Sequence, residues 1–105
     1  MRIISKNTLQ SYWEVHANTE QPLKSWYDEV KDCLWNTPGD IHDLFPKASI
    51  IDNKRVVFDI KGNSYRLVVD IEYKFKTVFV IWIGTHAEYS KVNIKELRYV
   101  KTHKN

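Results

Sequence analysis

The spacing of apolar residues along this chain changes period near its middle. Leu9, Tyr12, Trp13 and His16 recur at three- and four-residue intervals, and Leu23, Trp26, Tyr27, Val30, Cys33 and Leu34 form a second such stripe. That spacing predicts two amphipathic helices, because residues three and four apart share one helix face. Ser5 and Thr19 stand where N-caps belong, and Pro22 fits the first turn of the second helix. Asn36-Thr37-Pro38-Gly39 ends that helix. Before the helices, Met1 to Ile4 predict a short strand. After them, Asp40 to Pro46 predict an irregular or single-turn segment packed down by Ile41, Leu44 and Phe45.

From Ile50 onward the alternation is two. Val56, Phe58 and Ile60 alternate with Arg55, Val57 and Asp59. Lys61-Gly62-Asn63-Ser64 predicts a hairpin turn, with Gly62 and Asn63 taking positive φ. The next strand, Tyr65 to Tyr73, places Tyr65, Leu67, Val69, Ile71 and Tyr73 on one face and Arg66, Val68, Asp70 and Glu72 on the other. Lys74-Phe75-Lys76 turns the chain into Thr77 to Ile83. Val78 to Ile83 are six consecutive apolar residues, four of them β-branched, which suits a buried central strand. The order β-α-α-β-β-β predicts an α+β fold, with two N-terminal helices on one face of a small, mostly antiparallel sheet. The other face is expected to be partly open and to carry Arg66.

Size and charge narrow the picture. A chain of 105 residues holds one core, so residues 1–105 are read as a single domain. The formal charge of +3 is unevenly placed: residues 1–90 hold 11 basic against 12 acidic side chains, while residues 91–105 hold five against one. Residues 92–105 therefore read as a basic C-terminal appendage, either a surface for a polyanion or acidic partner or a solvated end. Cys33 is the only cysteine, which excludes an internal disulfide and four-cysteine or Cys₂His₂ zinc sites, and its spacing makes it a small core residue. The apolar N-terminal stretch is only Ile3-Ile4 and no run approaches membrane-spanning length, so a cytoplasmic protein with no membrane partner is expected.

Candidate chemistry gathers around the exit of the apolar strand, Gly84-Thr85-His86-Ala87-Glu88-Tyr89. A rigid strand that delivers titratable side chains to its own end is a common way to build a site. His86 can exchange a proton near neutral pH, Glu88 can orient an imidazole, and Tyr89 can donate to or stack on a base. Arg66, on the open face, can either clamp a phosphate bidentately or pair with Asp59 or Asp70. Lys54, Arg55, Lys74, Lys76 and Lys91, interleaved with Tyr73, Phe75 and Tyr89, suit single-stranded RNA, or else are solvated turn cations. His16 reads as a satisfied core residue. His42 beside Asp40 and Asp43 matches no defined metal spacing. The three glycines are dispersed, at 39, 62 and 84, so no phosphate-cradling loop is present. Neither a metal nor a cofactor is expected.

Together, Lys54-Arg55-Val56-Val57-Phe58, Gly62-Asn63-Ser64-Tyr65-Arg66-Leu67 and Gly84-Thr85-His86-Ala87-Glu88-Tyr89, with Lys91 behind, resemble the HigB-type toxins, bacterial mRNA interferases with the RelE-like fold. The resemblance covers roughly residues 1–93. It implies a ribosome-dependent endoribonuclease that cuts mRNA in the A site by attack of the ribose 2′-hydroxyl, without a metal. It also implies a cognate HigA-like helix-turn-helix antitoxin. On this basis Arg66 stabilises charge, His86 transfers a proton, Tyr89 stacks or transfers a proton, and Lys54, Arg55, Lys74 and Lys91 position the RNA backbone. The competing expectation is a non-catalytic RNA- or protein-binding module on the same fold. Its basic tail would carry the binding.

Overall fold

A computed structural model describes residues 1–99. β1 (Arg2–Ile4) leads into α1 (Lys6–Val15), a single 3₁₀ turn and α2 (Glu20–Lys31). A third helix, α3 (Pro38–Leu44), precedes β2 (Ser49–Ile50), β3 (Arg55–Ile60), β4 (Tyr65–Glu72), β5 (Thr77–Thr85) and a final turn of helix, α4 (His86–Tyr89). The five strands run β1-β5-β4-β3-β2, antiparallel except for the parallel pair β1–β5. The α+β expectation of helices against one face of a mostly antiparallel sheet is met.

Leu9 and Trp13 of α1, and Leu23, Trp26 and Val30 of α2, bury against Val56, Phe58, Leu67, Val69, Ile71, Val78 and Val80 of the sheet. Phe58 is the hub, with ring centroids 5.4 Å from Trp26 and 5.0 Å from Phe45. Rings packed edge-on in this way add to the area they bury.

Several local expectations are corrected. The second helix stops at Lys31, so Leu34 is 70% exposed rather than on a core stripe. Cys33 lies beyond the helix and is half-buried, its thiol donating to the Glu29 carbonyl at 3.2 Å. Residues 38–44 form a true helix, because Thr37 and Asp40 make a reciprocal capping box around Pro38. There Ile41 is buried, but Leu44 is 44% exposed. In the β3–β4 turn positive φ falls on Lys61 and Gly62 (54° and 64°), not on Asn63. Ser5 and Thr19 occupy cap positions without capping: Thr19 Oγ1 donates back to the His16 carbonyl at 2.7 Å.

The largest correction concerns the apolar run. β4, not β5, is central in the sheet. Val68 pairs with Trp82 and Val69 with Val80, so Ile81 is an extra, bulged residue on β5. Side chains alternate across a strand, so one inserted residue reverses the facing of everything beyond it. Val78 and Val80 point to the helices, whereas Trp82 and Gly84 lie on the opposite face beside Val68 and Arg66. Six apolar residues in a row leave that shift invisible to hydropathy.

The second sheet face is covered at one end. Val92, Ile94, Leu97 and Tyr99 are half-buried while Lys91, Asn93, Lys95, Glu96 and Arg98 are exposed. Arg55 Nη1 donates to the carbonyls of Ile94 (2.8 Å) and Leu97 (2.7 Å), and the Tyr99 ring packs on Phe79 at 5.3 Å. The first half of the expected basic appendage is therefore part of the fold. Lys101, His103 and Lys104 lie outside the described residues.

Candidate active site

The uncovered end of the second face is built by cross-strand register. Arg66 on β4 lies opposite Asp59 on β3 and Gly84 on β5, so these three share a row on one face. Two residues past Gly84, the His86 N–H donates to the Ser64 carbonyl at 3.0 Å, fixing the start of α4 to the start of β4. Arg66 and His86 therefore leave adjacent strands at the same sheet end. His86 is exposed and Tyr89 half-buried.

The Arg66 guanidinium is held but not enclosed. Its Nε faces Asp59 Oδ1 at 3.3 Å, and its side chain is 12% exposed. Nη2 donates to Asn63 Oδ1 at 2.6 Å, and Nη1 donates to the carbonyls of Asn63 at 3.1 Å and Tyr65 at 3.3 Å. The guanidinium carbon sits 5.9 Å from the Tyr89 ring centroid, a cation–π distance. Tyr89 in turn lies 6.3 Å from the Trp82 ring. A Cβ on Gly84 would come within 2.4 Å of the Trp82 ring and 3.0 Å of Glu88 Oε1. Only a residue without a side chain lets that ring lie along the strand beside Arg66.

Glu88 does a different job from the one its sequence position suggests. Its Oε1 accepts the Thr85 N–H at 2.8 Å while Thr85 Oγ1 accepts the Glu88 N–H at 3.1 Å. The carboxylate thus caps α4. The Thr85 backbone N–H, followed by the Thr85 hydroxyl, holds its carboxyl below the usual range.

Among the cations expected to meet RNA, Lys91 follows α4 directly and is exposed at the Arg66 end. Lys54 and Lys74 are exposed at the other end of the sheet, where Lys54 Nζ pairs with Glu72 at 2.7 Å. Glu72 is six residues along β4 from Arg66, about 20 Å at the strand rise. Arg55 is a correction. It is 5% exposed, binds Asp70 through Nε (2.8 Å) and Nη2 (2.9 Å), and spends Nη1 on the C-terminal carbonyls. With those donors committed inside the protein, Arg55 is not offered to a ligand. Asp40 is likewise spent, since its Oδ2 accepts the N–H groups of Asn36 (2.8 Å) and Thr37 (3.2 Å). Among the described residues no group of three His, Cys, Asp or Glu is placed to hold a metal ion, and no helix is long and apolar enough to cross a membrane.

Asp59 is one of the two aspartates the sequence offered to Arg66, and it is the one that pairs. Sequence reasoning missed Asn63 and Trp82 as partners of the site, although Asn63 had a signal in the hairpin turn. Trp82 had none until the Ile81 bulge turned it over.

The sequence that builds this α+β sheet matches a family of known proteins. The model of the HigB toxin family, RelE-like toxic components of toxin–antitoxin systems, matches residues 19–92. A curated relative from Escherichia coli O6:H1 strain CFT073, named mRNA interferase HigB, is 32% identical over 106 residues, covering 99% of this chain and 99% of that protein. The chain belongs to the HigB toxin family.

Proposed function

We propose that this toxin is an endoribonuclease that cuts mRNA on the translating ribosome, in the A site, through the patch formed by Arg66, His86 and Tyr89. The observation that supports it most is the register Arg66–Gly84 with the His86 N–H on Ser64, which sets a guanidinium and an imidazole at one sheet end. The relative's name, an mRNA interferase, supplies the substrate class. In the step, the ribose 2′-oxygen attacks the adjacent phosphorus and the bond to the 5′-oxygen breaks. A 2′,3′-cyclic phosphate and a 5′-hydroxyl result, with no metal consumed or required.

Arg66 answers the negative charge that grows on the phosphorane oxygens. A fixed donor aimed at developing charge is worth about 10²–10³ in rate. Its Asn63 contacts sit on an exposed turn, so phosphate oxygens can take over those donors. His86 transfers the proton, taking it from the 2′-hydroxyl or giving it to the leaving oxygen. Tyr89 holds the guanidinium from one side and offers its ring or hydroxyl to the substrate. Lys91 adds charge beside the cut. Lys54 and Lys74 meet the RNA or its ribosomal surroundings about 20 Å away, a span of several nucleotides. A cognate HigA-like helix-turn-helix antitoxin holds the toxin inactive, and the protein works in the cytoplasm.

The test is induction in cells followed by mapping of RNA 5′ ends, with and without active translation. In-frame cuts bearing 5′-hydroxyl ends, present only during translation, are the expected result. The alternative of a non-catalytic binding module on this fold predicts growth inhibition with no new 5′ ends, and that outcome would overturn the nuclease reading.

A further inference from the structure

The nitrogens of the Arg66 guanidinium meet three different kinds of partner. Nε faces the Asp59 carboxylate at 3.3 Å. Asp59 lies directly across from Arg66 on β3, so the register of two paired strands sets that contact. Nη1 donates to two main-chain carbonyls, those of Asn63 at 3.1 Å and Tyr65 at 3.3 Å. Nη2 donates to a side chain, Asn63 Oδ1, at 2.6 Å.

These partners differ in how readily they leave. The Asp59 side chain is only 26% exposed, and the Tyr65 carbonyl belongs to β4 itself. Asn63 is exposed, in the turn where Lys61 and Gly62 take left-handed φ. Its neighbour Ser64 is pinned on both sides. The Ser64 N–H donates to the Lys61 carbonyl at 3.2 Å, and the Ser64 carbonyl accepts the His86 N–H at 3.0 Å. Rotation of the Asn63 side chain therefore releases Nη2 while the main chain that carries His86 stays in place. Asn63 also sets one oxygen on each terminal nitrogen, Oδ1 on Nη2 and its carbonyl on Nη1. That is the two-point pattern a phosphate offers to a guanidinium.

We propose that Asp59 and Asn63 divide the control of Arg66. Asp59 is the positioning residue that orients the guanidinium toward the phosphodiester, and the Asn63 side chain is a stand-in for phosphate, displaced from Nη2 when RNA arrives. This rests on the nuclease reading above and adds to it two residues that touch no reacting atom. Their effects on cleavage are opposite in kind. A carboxylate beside Nε offsets part of the charge that attracts RNA, so its worth lies in orientation rather than affinity. The Asn63 amide competes with RNA for a donor, and a contact made only in the free state weakens binding.

The test follows cleavage of ribosome-bound mRNA in a reconstituted translation reaction at rising concentrations of the intact toxin and of Asp59→Ala, Asp59→Asn, Asn63→Ala and Asn63→Asp. Maximal rate and half-saturating concentration are read separately, per mole of toxin folded by circular dichroism. Asp59→Ala is expected to cut about 10²-fold more slowly at saturation, with no rise in the half-saturating concentration. Asp59→Asn, which keeps an oxygen at Nε, should recover most of that rate. Asn63→Ala should half-saturate at a concentration about 2- to 10-fold lower, the worth of one hydrogen bond. Asn63→Asp, a charged competitor, should need a higher one. A folded Asp59→Ala that keeps the parent's maximal rate, or an Asp59→Asn no faster than Asp59→Ala, overturns the positioning role. A half-saturating concentration of Asn63→Ala equal to the parent's or above it overturns the stand-in. Asn63 lies on an exposed turn, so its two variants decide the proposal even where Asp59→Ala does not fold. Absence of any cut by the intact toxin is a different result, which removes the nuclease reading itself.

Discussion

Two arginines stand on one face of this sheet, each across from an aspartate on the neighbouring strand, and they meet opposite fates. Arg55 lies opposite Asp70 and Arg66 opposite Asp59, both pairs on the β3–β4 ladder. The first pair is bidentate at 2.8 and 2.9 Å and is roofed by the chain near Ile94 and Leu97. The second is a single 3.3 Å contact, supplemented by an exposed asparagine and an aromatic ring. Residue type and strand register are the same. The cover differs, and cover decides whether a guanidinium is a staple or a ligand-binding group.

Removing one partner of a buried, hydrogen-bonded ion pair leaves the other charge stranded, at a cost of about 3–5 kcal/mol. Arg55→Ala is therefore expected to lower stability by that amount in denaturant unfolding, with activity falling only as the folded fraction falls. An Arg55→Ala protein as stable as the parent would erase the contrast. Arg66→Ala should do the reverse. The expected loss is about 10²–10³ in cleavage, read from cut-site abundance after induction, with a smaller fall in unfolding free energy than for Arg55→Ala because its aspartate contact is single where that of Arg55 is bidentate.

Gly84→Ala sharpens the comparison at the open end. Its new Cβ would meet the Trp82 ring at 2.4 Å, so either the ring or the strand must move. Overpacking of this kind costs about 1–3 kcal/mol, and the displaced ring should also disturb the Tyr89–Arg66 stack, visible as lost cleavage beyond the lost stability. The smallest effect is expected from the α4 cap. Glu88 has a lowered carboxyl pKa in the folded protein, from an ordinary 4.5. Its contribution is then full above that value and disappears as pH falls through the lower native one. Glu88→Gln should flatten the acid limb of the stability profile slightly. A profile unchanged by the substitution would show that the cap contributes nothing in solution.

The docked C-terminal segment also changes how the tail can be tested. Deleting residues 92–105 removes the carbonyls that satisfy Arg55, so the deletion is expected to lower stability as well as remove charge. Neutralising the exposed Lys95 tests tail charge while leaving the Ile94 and Leu97 carbonyls on Arg55, because Arg55 takes main-chain oxygens there.

Much of this protein was legible in its sequence. The 3.6-residue stripes gave both long helices, the two-residue alternation gave the hairpin of β3 and β4, and that same alternation put Arg66 on the face away from the helices. These are local properties, fixed by the period at which a chain's own geometry returns side chains to one side. Two matters were left to tertiary structure. The bulge at Ile81 turned Trp82 and Gly84 toward Arg66, and an unbroken apolar run carries no mark of where a register shifts. The segment 92–99 came back over Arg55, burying one cation of a run that reads as uniformly solvated. Each depends on contacts between residues far apart in the chain, whose energies no local spacing records. The amino-acid order specified the elements and their faces; long-range packing decided which charges stayed within reach of a substrate.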